Sequence, residues 1–221
     1  MATGSATVVF LDANILAKPL TRSLLMLGAV RSGYVVAWSA TAEEEAARHM
    51  GPRMTPPSDV RHTYGGELAP TGEVAGRFIA TEAPDRQILA DAEAAGARFL
   101  ITEDVDDFSQ DDLRALGISA VNPDLFLSVR LTREAYAFAL GVLAKTRSNP
   151  RRSPDQIHAG IAQRHTRLFE AHADLFDVAP EESVHREPDV LFRGARCLLS
   201  ERVVEDPSML VDGVAPGVGG R

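Results

Sequence analysis

The sequence predicts an α/β protein, with a parallel sheet flanked by helices and an all-helical C-terminal extension after it. Three observations carry that prediction. Short apolar runs (8–11, 34–38, 99–101, 118–121) have the length and bounds of strands buried on both faces. Segments with helical spacing and recognisable caps separate these runs, and strands alternating with helices require parallel pairing. From residue 132 onward the strand-like runs stop and only helical patterning remains.

The bulk composition fits that reading. A chain of 221 residues suffices for one well-cored domain plus an appendage. One cysteine, Cys197, rules out an intramolecular disulfide and suits a reducing compartment. No apolar run approaches the ~18 residues of a membrane span. The N-terminus has no basic flank, and Asp12 interrupts its only apolar run, so no signal peptide is read. The expectation is a cytoplasmic protein with no membrane partner. A net charge of −8 disfavours passive nucleic-acid binding, which needs a basic surface. It is compatible with a metal nuclease, whose acids are neutralised locally by cations.

Taken in order, residues 1–7 are small and polar and are expected to fray. The first strand, Val8-Val9-Phe10-Leu11, runs into Asp12. Pro19-Leu20-Thr21 opens a helix with Thr21 as candidate N-cap, and Gly33 stands where a C-cap belongs. A second strand covers 34–38. Thr41 and Glu44 have the spacing of a capping box and begin the next helix. Residues 51–73 are rich in Pro and Gly and read as irregular connection with room for a short helical turn. Residues 74–80 fit strand and helix equally.

Pro84 starts an amphipathic helix whose buried face is Ile88, Leu89, Ala92 and Ala95 and whose end is Gly96. The third strand, 98–102, leads into Glu103-Asp104-Val105-Asp106-Asp107-Phe108. A short helix over 111–116, a last strand over 118–121 and a helix after Asn122-Pro123-Asp124 complete the layer. One helix is expected over 132–145. Another starts at Ser153-Pro154-Asp155-Gln156 and runs to about 169 or 172. The final ten residues are expected to be disordered. The predicted division is 7–130 for the α/β domain, 131–178 for the helical extension and 179–221 for an irregular tail.

Four carboxylates stand out: Asp12, Glu45, Asp85 and Asp104. Asp12 and Asp104 follow strands, where open parallel sheets form their ligand crevice. Glu45 follows the second strand on a helix. Asp85 precedes its strand and reaches that edge only if its helix enters from above. Clustered carboxylates raise one another's pKa unless a cation sits among them. Oxygen-only ligands suit Mg²⁺ or Mn²⁺, and the six histidines show no zinc spacing. Such a site, with no phosphate-cradling Gly loop, points to phosphodiester hydrolysis.

Four stretches in this order carry a resemblance: 11–16 (LDANIL), Trp38-Ser39 followed by Glu45, Asp85-Arg86 opening a helix, and 101–108 (ITEDVDDF). Together they resemble a PIN domain, the nuclease fold of VapC-type toxins from toxin–antitoxin systems. The stretch 122–127 resembles the close of that domain in longer members with a helical C-terminal extension. The resemblance covers about residues 7–130 and, more loosely, the helices to 172. It implies a Mg²⁺- or Mn²⁺-dependent endoribonuclease acting on single-stranded RNA and leaving a 5′-phosphate and a 3′-hydroxyl. It also implies a homodimer and inhibition by an antitoxin protein. By position, Asp12, Glu45, Asp85 and Asp104 would be the catalytic metal ligands, Asp107 an accessory metal-binding acid, and Asn14 an accessory residue orienting Asp12 or a water. The sequence departs from the family pattern in the short, Pro/Gly-rich stretch between Glu45 and Asp85, where members place a helical pair. It departs also in Gln87, where longer members carry histidine.

Each residue has a structural alternative. Asp12 could cap the following turn, Glu45 could pair with Arg48 or His49, and Asp85 could complement a helix dipole. Asp104 could be a turn residue. Glu43 and Glu44 read as solvent-facing or capping, Asp124 as a helix N-cap, and Trp38 as core. For RNA contact, Arg147, Arg151 and Arg152 stand out in a basic segment over 145–167 that holds one acid, Asp155. A receiver-like domain would need a lysine just after the last strand, where 121–129 holds none and the next is Lys145, and a dehalogenase-type phosphatase would need aspartate at Asn14; both are disfavoured. The remaining alternative is a non-catalytic PIN-like module that binds RNA or protein.

Overall fold

The structure, a computed structural model, describes residues 6–64, 66–74, 76–146 and 151–180. Strand β1 (Thr7–Leu11) is followed by helices α1 (Ala13–Leu16) and α2 (Pro19–Ser32), then β2 (Tyr34–Ala37). Helices α3 (Ala40–His49), α4 (Pro57–Thr63) and α5 (Arg86–Ala94) lead to β3 (Phe99–Ile101). Helix α6 (Gln110–Leu116), β4 (Ser119–Val121) and α7 (Pro123–Arg130) follow. The chain then becomes helical, with α8 (Arg133–Thr146), α9 (Pro154–Ile161) and α10 (Thr166–Ala171).

The four strands form one parallel sheet in the order β2-β1-β3-β4. Val9 stands opposite Val36, Phe10 opposite Leu100, and Leu100 opposite Ala120. The central strands β1 and β3 are almost wholly apolar because both of their faces are covered. Helix α3 contacts both α1 and α5, whereas α2 packs on α7, α8 and β2. The predicted α/β class is the one observed. Gly33 and Gly117 close α2 and α6 with φ of +70° and +67°, a conformation that leads each helix back into a strand.

Several local expectations differ. The N-cap position of α2 is Lys18, with Pro19 at the first helical position; Thr21 lies inside the helix and is buried. Ser39, not Thr41, caps α3, its Oγ accepting from the Ala42 N–H at 3.3 Å. Either hydroxyl could serve, and the end of β2 leaves Ser39 extended, as an N-cap must be. The described part of 74–80 forms neither strand nor helix. Phe78 there adopts φ +56° with its ring buried, and Arg77 lies 4.5 Å over that ring. Residue Gly72 lies against α5, where a Cβ would come within 2.0 Å of the Ala90 carbonyl oxygen. Gln87 ties this strap down, donating to the Gly72 carbonyl and to Asp91. Gln87 therefore has a structural partner of its own.

The helix expected from Ser153 to about 169 is two helices, broken at 162–165. Its start is as expected, with Ser153 and Gln156 forming a capping box. The break lets α10 turn back onto α7. Asp124 fastens it there: its Oδ2 accepts from the Arg167 N–H and its Oδ1 from the Leu168 N–H, both at 3.0 Å. Asn122 caps α7 itself, so the capping expected of Asp124 serves a different helix, 43 residues away. His165 lies 2.9 Å from the Thr21 hydroxyl, and Tyr136 lies 2.7 Å from His158 with His172 stacked on its ring. Asp124→Ala is expected to cost about 1–2 kcal/mol, since it strips the start of α10 of both acceptors. A melting temperature lowered by a few degrees, with susceptibility to proteolysis after 161 raised, would be the readout; unchanged proteolysis would contradict it.

Candidate active site

The sheet order places β1 and β3 side by side while their onward connections lead to opposite edges. The crevice beyond their carboxyl ends is thus a topological switch point. Asp12 follows β1 directly, and Thr102, Glu103 and Asp104 follow β3. Parallel pairing continues past the strands, with the Asp12 N–H donating to the Ile101 carbonyl at 3.1 Å. Register alone therefore brings the two segments together.

Asp12 is 5% exposed. Its Oδ1 accepts from the Ala13 N–H at 2.6 Å, so it does cap α1. Its Oδ2 accepts from the Thr102 hydroxyl at 2.7 Å and from Asn14 Nδ2 at 2.8 Å. That Nδ2 also lies 2.9 Å from Thr102 Oγ1 and 3.1 Å from Asp104 Oδ2. With two hydrogens for three acceptors, one of these bonds is shared. Asn14 Oδ1 accepts from the Glu103 N–H, and Thr102 Oγ1 accepts from the Asp104 N–H at 3.1 Å. One amide and one hydroxyl thus join the two acidic segments across the crevice.

The remaining acids make themselves felt electrostatically. Burial pushes the Asp12 carboxyl up to about 6; Thr102 and Ala13 oppose this, and Glu45 and Asp104 add to it. Burial pushes Asp85 up to about 7, reinforced by Asp12, Asp107, Glu45 and Glu82. Asp107 is raised as well, by burial and then by Asp104, Glu82 and Asp106. Asp85 reaches this neighbourhood because Pro84 and a short 3-10 turn (Ala83–Asp85) deliver the start of α5 to it. Its carboxylate makes no capping bond to α5. All five predicted acids therefore lie within one field. Glu45 and Asp107 are half-buried, and Asp104 is exposed.

Two participants were not singled out in the sequence. Thr102 joins Asp12, Asn14 and the Asp104 backbone. A hydroxyl at the end of an apolar strand must find a partner once buried, and that was the available signal. Glu82 acts on Asp85 and Asp107, and its N–H donates to the Asp107 carbonyl at 3.2 Å; nothing in the local pattern marks it. Glu43 is neither solvent-facing nor capping. It accepts from Trp38 Nε1 at 2.8 Å and from Arg61 at 3.1 and 3.3 Å, which fixes α3 against α4. Arg147 lies outside the described residues, as do Cys197 and the expected disorder of the last ten residues. Arg151 is exposed, and Arg152 is half-buried and engaged with other groups.

The donors at this site are all oxygen, and burial with neighbouring like charges pushes Asp12, Asp85 and Asp107 up, which is the cost a hard divalent cation relieves. Among the described residues, no three acid, histidine or cysteine side chains form a ready-made group that could hold a metal ion. The donor set fits Mg²⁺ or Mn²⁺ in its chemistry. Comparison with protein-family models, curated proteins and solved structures returns no match to this chain. Among the described residues no helix is long and apolar enough to cross a membrane.

Proposed function

We propose that this chain is a PIN-type, VapC-like endoribonuclease that hydrolyses phosphodiester bonds of single-stranded RNA with Mg²⁺ or Mn²⁺. The observation that carries this reading is the pairing of Asp12 and Asp104 through Asn14 and Thr102 at the switch point of a parallel sheet, with Glu45, Asp85 and Asp107 in their electrostatic neighbourhood. Groups pushed toward neutrality by burial and by like charges concentrate at functional sites. The order of these acids in the chain matches the PIN pattern that the sequence resembles.

Asp12, Glu45, Asp85 and Asp104 would hold the cation, with Asp107 at its margin. When bound, the cation would supply an activated water and charge stabilisation on the phosphoryl oxygens. Asp12 is held in one rotamer by three donors, so it is a preorganised ligand. Asn14 and Thr102 set the spacing between Asp12 and Asp104. On the same resemblance, the protein would be a cytoplasmic toxin restrained by an antitoxin protein, with a homodimer as its working form.

Incubation of the purified protein with end-labelled single-stranded RNA tests the reading. Cleavage with Mn²⁺ or Mg²⁺, none with EDTA, and 5′-phosphate ends are expected. Failure of folded, inhibitor-free protein to cut any of several RNAs would favour the non-catalytic module instead.

A further inference from the structure

An acidic protein with an acidic crevice still has to hold a polyanion, and the cations nearest the crevice decide how. Lys18 stands at its rim, and the fold brings Arg164, from a distant part of the chain, toward Lys18. Lys18 lies in the connection between α1 and α2 and forms an ion pair with Glu103, the neighbour of Asp104. Arg164 lies in the break between α9 and α10 and is exposed. It forms no ion pair among the described residues.

A buried contact fixes that break against the start of α2, and half-buried ones hold the turn after it on α7. His165 bonds to Thr21, one turn beyond Lys18, and Asp124 holds the first turn of α10. Both Arg164 and Lys18 bear electrostatically on the buried His165 ring, so the two cations share its neighbourhood. The one acid paired with Lys18 is half-exposed, so a phosphate can compete for the ammonium. The basic segment singled out in the sequence thus comes near Lys18 through Arg164.

We propose that Lys18 and Arg164 form a phosphate-binding subsite for the RNA strand at the rim of the acid crevice, so that the C-terminal helices form part of the substrate groove. This rests on the ribonuclease reading above. Neither residue touches the reacting phosphate; each holds a flanking backbone phosphate, a charge-assisted contact that carries affinity without sequence preference.

The test combines two measurements on the full chain. Affinity for a short labelled single-stranded RNA is read by fluorescence anisotropy in the Asp104→Asn background, which leaves the RNA uncut. Steady-state cleavage is read with Asp104 intact. Lys18→Gln and Arg164→Gln are each expected to weaken binding about 3- to 10-fold and to lower the salt slope of log Kd by about 0.7 per charge removed. KM should rise correspondingly while kcat stays within about twofold, as for an interaction made equally in ground and transition states. Arg77→Gln, a surface change at an Arg77–Glu93 pair, should alter neither. Thr21→Val, which frees the Arg164 turn without removing a charge, should also raise KM. Unchanged affinity and salt slope in both Gln variants of an enzyme that cleaves RNA would overturn the subsite and leave the ribonuclease reading standing. Wild-type protein that neither binds nor cleaves RNA would overturn both.

Discussion

Asp85→Asn is expected to abolish cleavage and, at the same time, to raise the melting temperature of the metal-free protein at pH 8. The carboxyl of Asp85 is pushed up from 3.8 to about 7, chiefly by burial and then by Asp12, Asp107, Glu45 and Glu82. Because the folded pKa lies above the unfolded one, this group's contribution to stability is fully present below about pH 3.8. It is lost as the pH rises through about 7. At pH 8 the folded protein carries the full cost of the ionised form. The uncorrected shift would be about 4 kcal/mol, and partial solvation of the group reduces that to roughly 1–2 kcal/mol. A neutral Asn removes the cost, worth about 2–8 °C in a domain of this size. At pH 4 the gain should vanish. Saturating Mn²⁺ should reverse the ranking, since at about 100 times its Kd a ligand adds roughly 2.7 kcal/mol to the form that binds it. A structural first-turn acid predicts the opposite at pH 8, a loss from the weakened helix dipole. Thermal melts at the two pH values, with and without Mn²⁺, separate the two.

Thr102→Val should impair cleavage about 10- to 100-fold without removing any proposed ligand, the scale typical of groups that orient metal ligands. The two side chains have nearly the same shape, so packing around this fully buried position is kept. What is lost is one donor to Asp12 and one acceptor for Asn14 and the Asp104 N–H. Leaving these groups unmatched should lower stability by about 1–3 kcal/mol. A purely structural hydroxyl would change stability alone. A positioning hydroxyl also weakens Mn²⁺ affinity, measured by titration calorimetry, and Thr102→Ser restores both. Loss of stability with unaltered Mn²⁺ affinity and cleavage would contradict the role.

The parts of this site that follow from strand register were legible in the sequence. Val8 to Leu11 and Phe99 to Ile101 are apolar enough to be central strands, so the residues just beyond them had to meet at one sheet edge. That accounts for Asp12 and Asp104. Asp85 was harder, because its helix precedes its strand; the proline-led 3-10 turn that delivers it is a local geometry with little periodic signal. Long-range polar pairing was not legible. Glu43, Glu44 and Glu45 are three adjacent acids, and the one bound by Trp38 and Arg61 is set by where α4 lands. Asp124 has the spacing of a local cap, yet its acceptors face a helix start that only the break at 162–165 turns toward it. Thr21 and His165 meet for the same reason. Thr102 is missed because its hydroxyl is silent in a pattern read for apolar residues, while its role comes from three partners supplied by two chain segments.

The most direct test of the central claim is the rate of Mn²⁺-dependent cleavage of labelled single-stranded RNA by wild-type protein, Asp12→Asn and Asp104→Asn, each first shown to be folded by circular dichroism. The expected result is cleavage by the wild type, abolished by EDTA, and a loss of at least about 100-fold in each variant, equivalent to roughly 2.7 kcal/mol of transition-state stabilisation. Wild-type cleavage that survives EDTA, or variants that cut at the wild-type rate, would contradict the assignment of these acids to a metal-dependent nuclease site.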